Sequence, residues 1–421
     1  MAVDASIADE RLTRQHVVLL VLLAGITMFE GFDISTTSVV LPYLGQEFGA
    51  STERLGEAMA IIGLGSIMAW VVLRLADRFG RRPLLLLAAT GFSLGSLATI
   101  LSTGVASYTG IQFATRVLLV SQVALAYLIV SETLPPRIRG RANGLLGAMG
   151  SFGAALPFLV IGAALETPLG WRLLFAIGAI PLILVPVLFC FLHETPIWLA
   201  AREGGARPSS VLSELKQLTA TGLRRRFLAM SLLWLIVNFA SSTGGLFFTL
   251  YVVEERGWPA IDFARIAPFG LAGAVIGYLG AGLLSDAIGR RWAMSIFAFL
   301  LGALTITCYS STGWHVIAAS FIGLQAMLGL WVIAYTLNNE LFPTELRGAA
   351  NGWCNNLVGR WGVVIAPAAV GNLSGELGGI GPAVSWLAAI AWLAIPVMLF
   401  MVPETRGQHL AQATKTCCRQ R

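Results

Sequence analysis

Charge is what this sequence has least of. Only 12% of its 421 residues are Asp, Glu, Lys or Arg, half the roughly 25% of soluble domains. A chain this poor in charge cannot clothe a water-facing surface of its own size. Cysteine is scarce as well. Its five copies are scattered without a CxxC or other metal-ligand spacing, which excludes a disulfide framework and a zinc site. The four histidines (His16, His193, His315, His409) stand far apart. There is no P-loop, so ATP hydrolysis is not the driving reaction. No nucleophile–base arrangement appears either, so neither an enzyme nor a cofactor or metal is expected. The first sixteen residues carry Asp4, Asp9, Glu10, Arg11 and Arg14 and no short apolar core with a cleavage site. A cytoplasmic tail followed by an uncleaved span is expected there.

What the chain has instead is apolar length. Hydrophobic residues make up 56%, with 46 glycines and a mean hydropathy of +0.77. A helix crosses a bilayer with about 20 apolar residues. Twelve such runs are expected: 17–45, 57–76, 84–103, 107–131, 143–165, 172–192, 227–251, 264–285, 292–311, 314–338, 349–371 and 381–402. One long polar segment, 193–226, separates six from six. The domains expected are a tail (1–16), a six-helix bundle (17–192), a cytoplasmic linker (193–226), a second bundle (227–402) and a tail (403–421). With the N-terminus inside, 22 basic residues fall on inside segments and four (Arg54, Arg172, Arg256, Arg265) on outside loops. By the positive-inside rule both termini are then cytoplasmic. The net charge of +6 is explained by topology, without nucleic acid as a partner.

The halves repeat. Glu132, Pro135, Arg139, Gly140, Asn143 and Gly144 return 208 residues later as Glu340, Pro343, Arg347, Gly348, Asn351 and Gly352. Asp77-Arg78-Phe79-Gly80-Arg81-Arg82 returns as Asp286-Ala287-Ile288-Gly289-Arg290-Arg291, and Glu194-Thr195 as Glu404-Thr405. Parallel repeats of this kind place a substrate site near the midplane and expose it alternately to each side. The Asp77–Arg82 loop and its copy resemble the signature of the major facilitator superfamily, and with twelve spans the resemblance covers the whole chain. It implies an all-α membrane protein of twelve transmembrane helices in two pseudo-symmetric bundles. It also implies a cytoplasmic gate, here Asp77, Arg78, Arg81, Arg82, Glu132, Arg139, Asp286, Arg290, Arg291, Glu340 and Arg347, in which the loop aspartate holds a neighbouring helix end. A glycine four residues before the aspartate fits the pattern at Gly282, whereas Leu73 holds that place in the first copy.

Four charges lie well inside spans, away from their ends: Glu30, Asp33, Arg116 and Arg360. A charge at the bilayer centre costs roughly 2.5–3.5 kcal/mol, so its default reading is functional. At 1.5 Å per residue, Glu30, Arg116 and Arg360 lie about 20, 14 and 17 Å along their spans, near the middle. Asp33 follows one turn on, on the same face. Counting 208 residues from the two arginines gives Phe152 and Leu324. Neither arginine is repeated, which favours a substrate or coupling role over a scaffold one, although an internal ion pair stays open. Glu30-Gly31-Phe32-Asp33, Arg116 and the Gly359-Arg360-Trp361-Gly362…Pro367 run resemble the aromatic acid:proton and metabolite:proton symporters. That resemblance implies proton coupling at Glu30 and Asp33 and carboxylate transport through Arg116 and Arg360. Departures are Glu30 in place of Asp, and a fourth span without alternating glycines. Glu30 is expected to carry the proton and to release Arg116 when protonated, with Asp33 admitting or positioning it. Gln122, Gln325, Trp331, Tyr335, Asn355 and Asn356 are further candidates to line the cavity, though each also suits helix packing. Trp331 and Tyr335 share a face and could stack on an aromatic substrate or simply on each other.

The loops around Glu132, Glu194, Glu340 and Glu404 resemble sugar porters, so a sugar or other metabolite stays open as the substrate. So do two further roles for the chain, a proton-antiport exporter of the same fold and a non-transporting sensor. The expectation is a monomer in the plasma (inner) membrane whose partners are lipid, protons and a small organic anion.

Overall fold

The computed structural model describes residues 13–203, 210–343 and 346–406; the remainder of both tails and part of the linker lie outside the described residues. The apolar runs form helices because a segment in lipid must satisfy its own backbone hydrogen bonds. Among the described residues, eleven helical stretches are long and apolar enough to cross a bilayer. In chain order they include α1 (Arg14–Phe48) and α2 (Thr52–Phe79), then α4 (Val105–Thr133) and α5 (Pro136–Leu165). The rest are α6 (Arg172–Phe191), α7 (Arg224–Glu254), α8 (Ala260–Ile288), α9 (Arg290–Ser310), α10 (Trp314–Leu341), α11 (Arg347–Glu376) and α12 (Ile380–Met401). Between α2 and α4 lies α3, 19 residues from Arg81 to Thr99, about 28 Å long. The chain is thus an all-α, multi-pass membrane protein with helices at all twelve expected places. The linker, read from sequence only as polar, carries two short helices, Pro196–Glu203 and Val211–Leu218.

The described residues fall into two compact units. The first runs to Phe48, continues from Met68 into the linker, and takes in Ala260–Ala267; the second holds Gly49–Ile67, the rest of the linker to Pro259, and everything from Pro268. In the first unit α1 crosses α5 at glycines. A Cβ on Gly31 would strike the Gly150 carbonyl, and one on Gly153 the Met28 carbonyl. In the second unit α7 crosses α11 the same way, with Gly359 against Trp234 and Gly362 against Leu235 and Phe239. Close backbone approach through small residues is how helices associate where lipid offers no hydrophobic drive.

Those crossings reveal a shift in the repeat. Asn143 matches Asn351 at an offset of 208, but Gly150 and Gly153 match Gly359 and Gly362 at 209. The extra residue lies in α11, where Gly352–Gly359 is wound as a π-helix that ends with the Arg360 amide donating to the Asn355 carbonyl at 3.0 Å. Arg360 therefore corresponds to Ser151, and the counterpart read from sequence, Phe152, is one position off. It is still not an arginine.

Candidate functional site

In the first unit, α1 and α4 build a buried polar centre. Asp33 is 1% exposed and Arg116 9%. The Arg116 charge faces the Asp33 carboxyl, as does the Ser96 hydroxyl of α3, although Asp33 Oδ2 and Ser96 Oγ meet no well-aligned partner. Arg116 Nη2 donates to Thr37 Oγ1 at 3.1 Å, and Thr37 Oγ1 donates to the Asp33 carbonyl at 3.1 Å. Asp33 and Thr37 share a face of α1 by i,i+4 spacing. Glu30 is half-buried and points toward α5, where its Oε2 lies 3.7 Å from a Cβ built on Gly150. Asp33 thus brings a carboxyl to Arg116, and it is the more deeply buried of the two acids. Gln122 donates to the Ile26 carbonyl at 3.2 Å, so its amide ties α4 to α1.

In the second unit the candidates gather on an aromatic residue that the sequence alone did not single out. Trp234 of α7 is fully buried, with its ring 5.4 Å from Trp331 and 4.8 Å from Tyr335, both edge-on. Asn355 is buried; it donates to Tyr335 Oη at 3.1 Å and accepts from Asn238 at 3.4 Å. Asn355 thereby positions the tyrosine at the foot of the π-helix. Arg360, at its end, is half-buried, as are Asn356 and Gln325. Gln325 lays its stem against Gly270 of α8.

The repeated loop motifs form the same network twice. Arg81 pairs with Asp77 at 3.1 Å and Glu132 at 3.1 Å, and Arg290 pairs with Asp286 at 2.8 Å and Glu340 at 3.0 Å. Thr195 donates to Glu132 and Thr405 to Glu340. The Arg81 and Arg82 amides donate to Glu194, and the Arg290 and Arg291 amides to Glu404. The helix ends are thus held by Glu194 and Glu404. Asp77 and Asp286 act through the arginine side chains instead, which corrects the expectation for the loop aspartate. The physical reason is the turn. Gly80 and Gly289 have φ of 106° and 96°, a region that disfavours any side chain, and the incoming carboxylates fill the space a Cβ would need. Arg139 and Arg347 each cap the preceding turn, donating to the carbonyls of Leu134 and Phe342 at 2.7 and 3.3 Å. Arg82 reaches the Phe189 carbonyl at 2.9 Å and Arg291 the Met398 carbonyl at 3.2 Å, while Arg78 stacks over Phe79. Gly282, which fits the loop pattern, has open space around its Cβ direction.

Burial raises the Glu404 carboxyl, but the amides of residues 290, 291, 405 and 406 outweigh it and hold the group below its ordinary 4.5. A carboxyl with a lowered folded pKa stabilises above its unfolded value, and that stability is lost as pH falls through the folded value. Glu404→Gln is expected to lower the melting temperature by about 1–3 °C at pH 7, the scale of a charge at a helix N-terminus. The difference from the parent should close below pH 4.5; thermal unfolding at pH 7 and at acid pH checks it.

A second repeated pair was missed. Glu47 and Glu255 are 208 apart, as are the positive-φ Gly49 and Gly257 that follow them. Glu47 accepts from Arg172 and Trp171, each at 2.7 Å. Glu255 accepts from the Ile380 and Gly381 amides at the start of α12. The offset that matches the inner loops would have found this pair in the others.

A family model described as Major Facilitator Superfamily matches residues 23–367. Among curated proteins, the chain is 28% identical to a 3-(3-hydroxy-phenyl)propionate transporter of Escherichia coli K12, over 92% of this chain and 94% of that one. It is 26% identical to a cis,cis-muconate transport protein of Acinetobacter baylyi, over 88% and 91%. Among solved structures it resembles the inward-open xylose transporter of E. coli, with a TM-score of 0.76 at 18% identity, covering 95% and 99% of the two chains.

Proposed function

This chain belongs to the major facilitator superfamily, and from that premise we propose that it carries a small organic anion, a carboxylate first of all, together with protons. One observation carries the reading: a buried carboxyl, Asp33, faces a buried guanidinium, Arg116, within the membrane-spanning helices of the first unit. Burying such a pair costs more than its attraction returns, so a bundle retains it for what it does. Guanidinium recognises carboxylate through a planar fork. The two relatives named above carry substrates of that chemistry.

The two bundles, 17–192 and 227–402, are proposed to alternate, with both termini on the cytoplasmic side of the plasma membrane and Asp77, Arg81, Asp286, Arg290 and their glutamates as the cytoplasmic latch. Asp33 takes the proton, reversing the roles first expected of Glu30 and Asp33. Once neutral, it releases Arg116 to the substrate carboxylate. In the second unit, Arg360 is a further candidate guanidinium, and Trp331 with Tyr335 a candidate face for an aromatic ring. Transport by the full chain in liposomes tests this, with labelled 3-(3-hydroxyphenyl)propionate, cis,cis-muconate and xylose. Accumulation of a carboxylate driven by an acidic exterior is expected. Equal accumulation of xylose sinks the substrate class, and movement only under the opposite gradient makes the protein an exporter.

A further inference from the structure

Polar groups continue beyond Asp33 toward the end of the first unit where α3 stops and α4 starts. Tyr108, Gln112 and Arg116 stand at i, i+4 and i+8 on α4 and share one face. Tyr108 and Gln112 are 0% exposed. Ser96 and Thr99, also fully buried, line α3, and Ser102 follows at 2% exposed. Gln112 Nε2 joins the two rows by donating to Thr99 Oγ1 at 2.8 Å. Four atoms along this file have no well-aligned protein partner: Ser96 Oγ, Ser102 Oγ, Tyr108 Oη and Gln112 Oε1. An unsatisfied buried polar group costs about 1–3 kcal/mol. Four in one file call for a common occupant, and buried water is the molecule that makes two to four hydrogen bonds in such places. The file ends at a polar surface. Arg172 donates to the Ser102 carbonyl at 3.0 Å and the Ile100 carbonyl at 3.1 Å, and pairs with Glu47.

We propose that this file binds a chain of water and delivers protons from the Glu47–Arg172 surface to Asp33, apart from the route the substrate takes. Each oxygen binds one proton as it releases another. The net change is one O–H bond formed on the Asp33 carboxyl and one hydronium consumed. Serine, threonine, tyrosine and water both donate and accept, which such a relay requires. The groups facing Asp33 are Arg116 and Tyr108 from α4 and Ser96 from α3. The proposal rests on the reading of Asp33 as the proton site and on the orientation that puts Glu47 outside.

Radiolytic hydroxyl-radical labelling of the full chain in liposomes, without any substrate, tests the water. Tyr309 is the control, being 1% exposed with its hydroxyl donating to the Gly244 carbonyl at 2.9 Å. Tyr108 should be labelled about fivefold faster or more, since bound water is the source of the radical. Equal rates overturn the file, whatever the protein transports. The proton arm uses Ser102→Ala, at the far end of the file from Asp33. Uptake of 3-(3-hydroxyphenyl)propionate driven by a pH gradient should fall about fivefold while counterflow of the same probe holds, since only net uptake turns the proton over. If uptake is unchanged, or if both fall together, Ser102 is no relay. A parent protein that labels fast at Tyr108 yet ignores the gradient overturns the delivery of protons and the coupling reading while leaving the water in place.

Discussion

Asp33→Asn is expected to abolish gradient-driven accumulation, by about 100-fold or more, while leaving counterflow within a few-fold of the parent. Asparagine keeps the shape and hydrogen-bonding reach of the protonated acid but cannot titrate. The loaded, neutral carrier can still reorient; what it loses is the step in which the proton leaves. The pH dependence should change with it. In the parent, alkaline pH ionises Asp33, which then competes with substrate for Arg116, so anion binding weakens as pH rises. With asparagine there is no competing charge, and affinity becomes flat on the alkaline side. Removing one partner of a buried pair leaves the other charge uncompensated at a cost of about 3–5 kcal/mol, so some loss of stability is also expected, relieved by bound anion. Uptake, counterflow and anion affinity from pH 5 to 9, with Glu30→Gln as the companion variant, decide it. Intact gradient dependence in Asp33→Asn with loss in Glu30→Gln would return the proton to Glu30.

The second large effect is at the arginines. Arg116→Lys keeps the charge and removes the fork, so it separates recognition from mere neutralisation. A charge-assisted hydrogen bond contributes about 1.5–3 kcal/mol, so carboxylate affinity should fall roughly tenfold to a hundredfold. Arg360→Lys should show a loss of similar size. If each guanidinium contacts the same anion, the double variant will depart from the sum of the singles, since groups sharing a partner are not additive. If the two act on separate steps, the losses add. Equilibrium binding to the detergent-solubilised protein reads both. Affinity within twofold of the parent in Arg116→Lys would reduce that arginine to an internal ion-pair partner.

The helices were legible because lipid imposes one rule on every span, and a run of 20 apolar residues can obey it in one way. The duplicated loop network was legible because Asp77, Arg81 and Glu132 recur as Asp286, Arg290 and Glu340, and the copies form the same bonds in both units. What escaped was set by packing. Nothing in Trp234 or Tyr108 as letters distinguishes them from other apolar filler; their place follows from which helix lies opposite. Which of Glu30 and Asp33 is the more deeply buried escaped for the same reason, since depth along one helix says nothing of its neighbours. Glu47 and Glu255 were within reach of the repeat offset, but a shared Glu-x-Gly is too short a match to stand out among 46 glycines.

The π-helical turn of α11 can also be seen as a scar. If the halves descend from one six-helix ancestor, Gly352–Gly359 is where one copy gained a residue without paying for it in broken crossings, because the surplus was absorbed as a wide turn and both contact glycines kept their partners. Arg360 follows that insertion directly. It occupies an angular position on the helix that the ancestral spacing did not offer, so the halves differ here by length as well as by substitution.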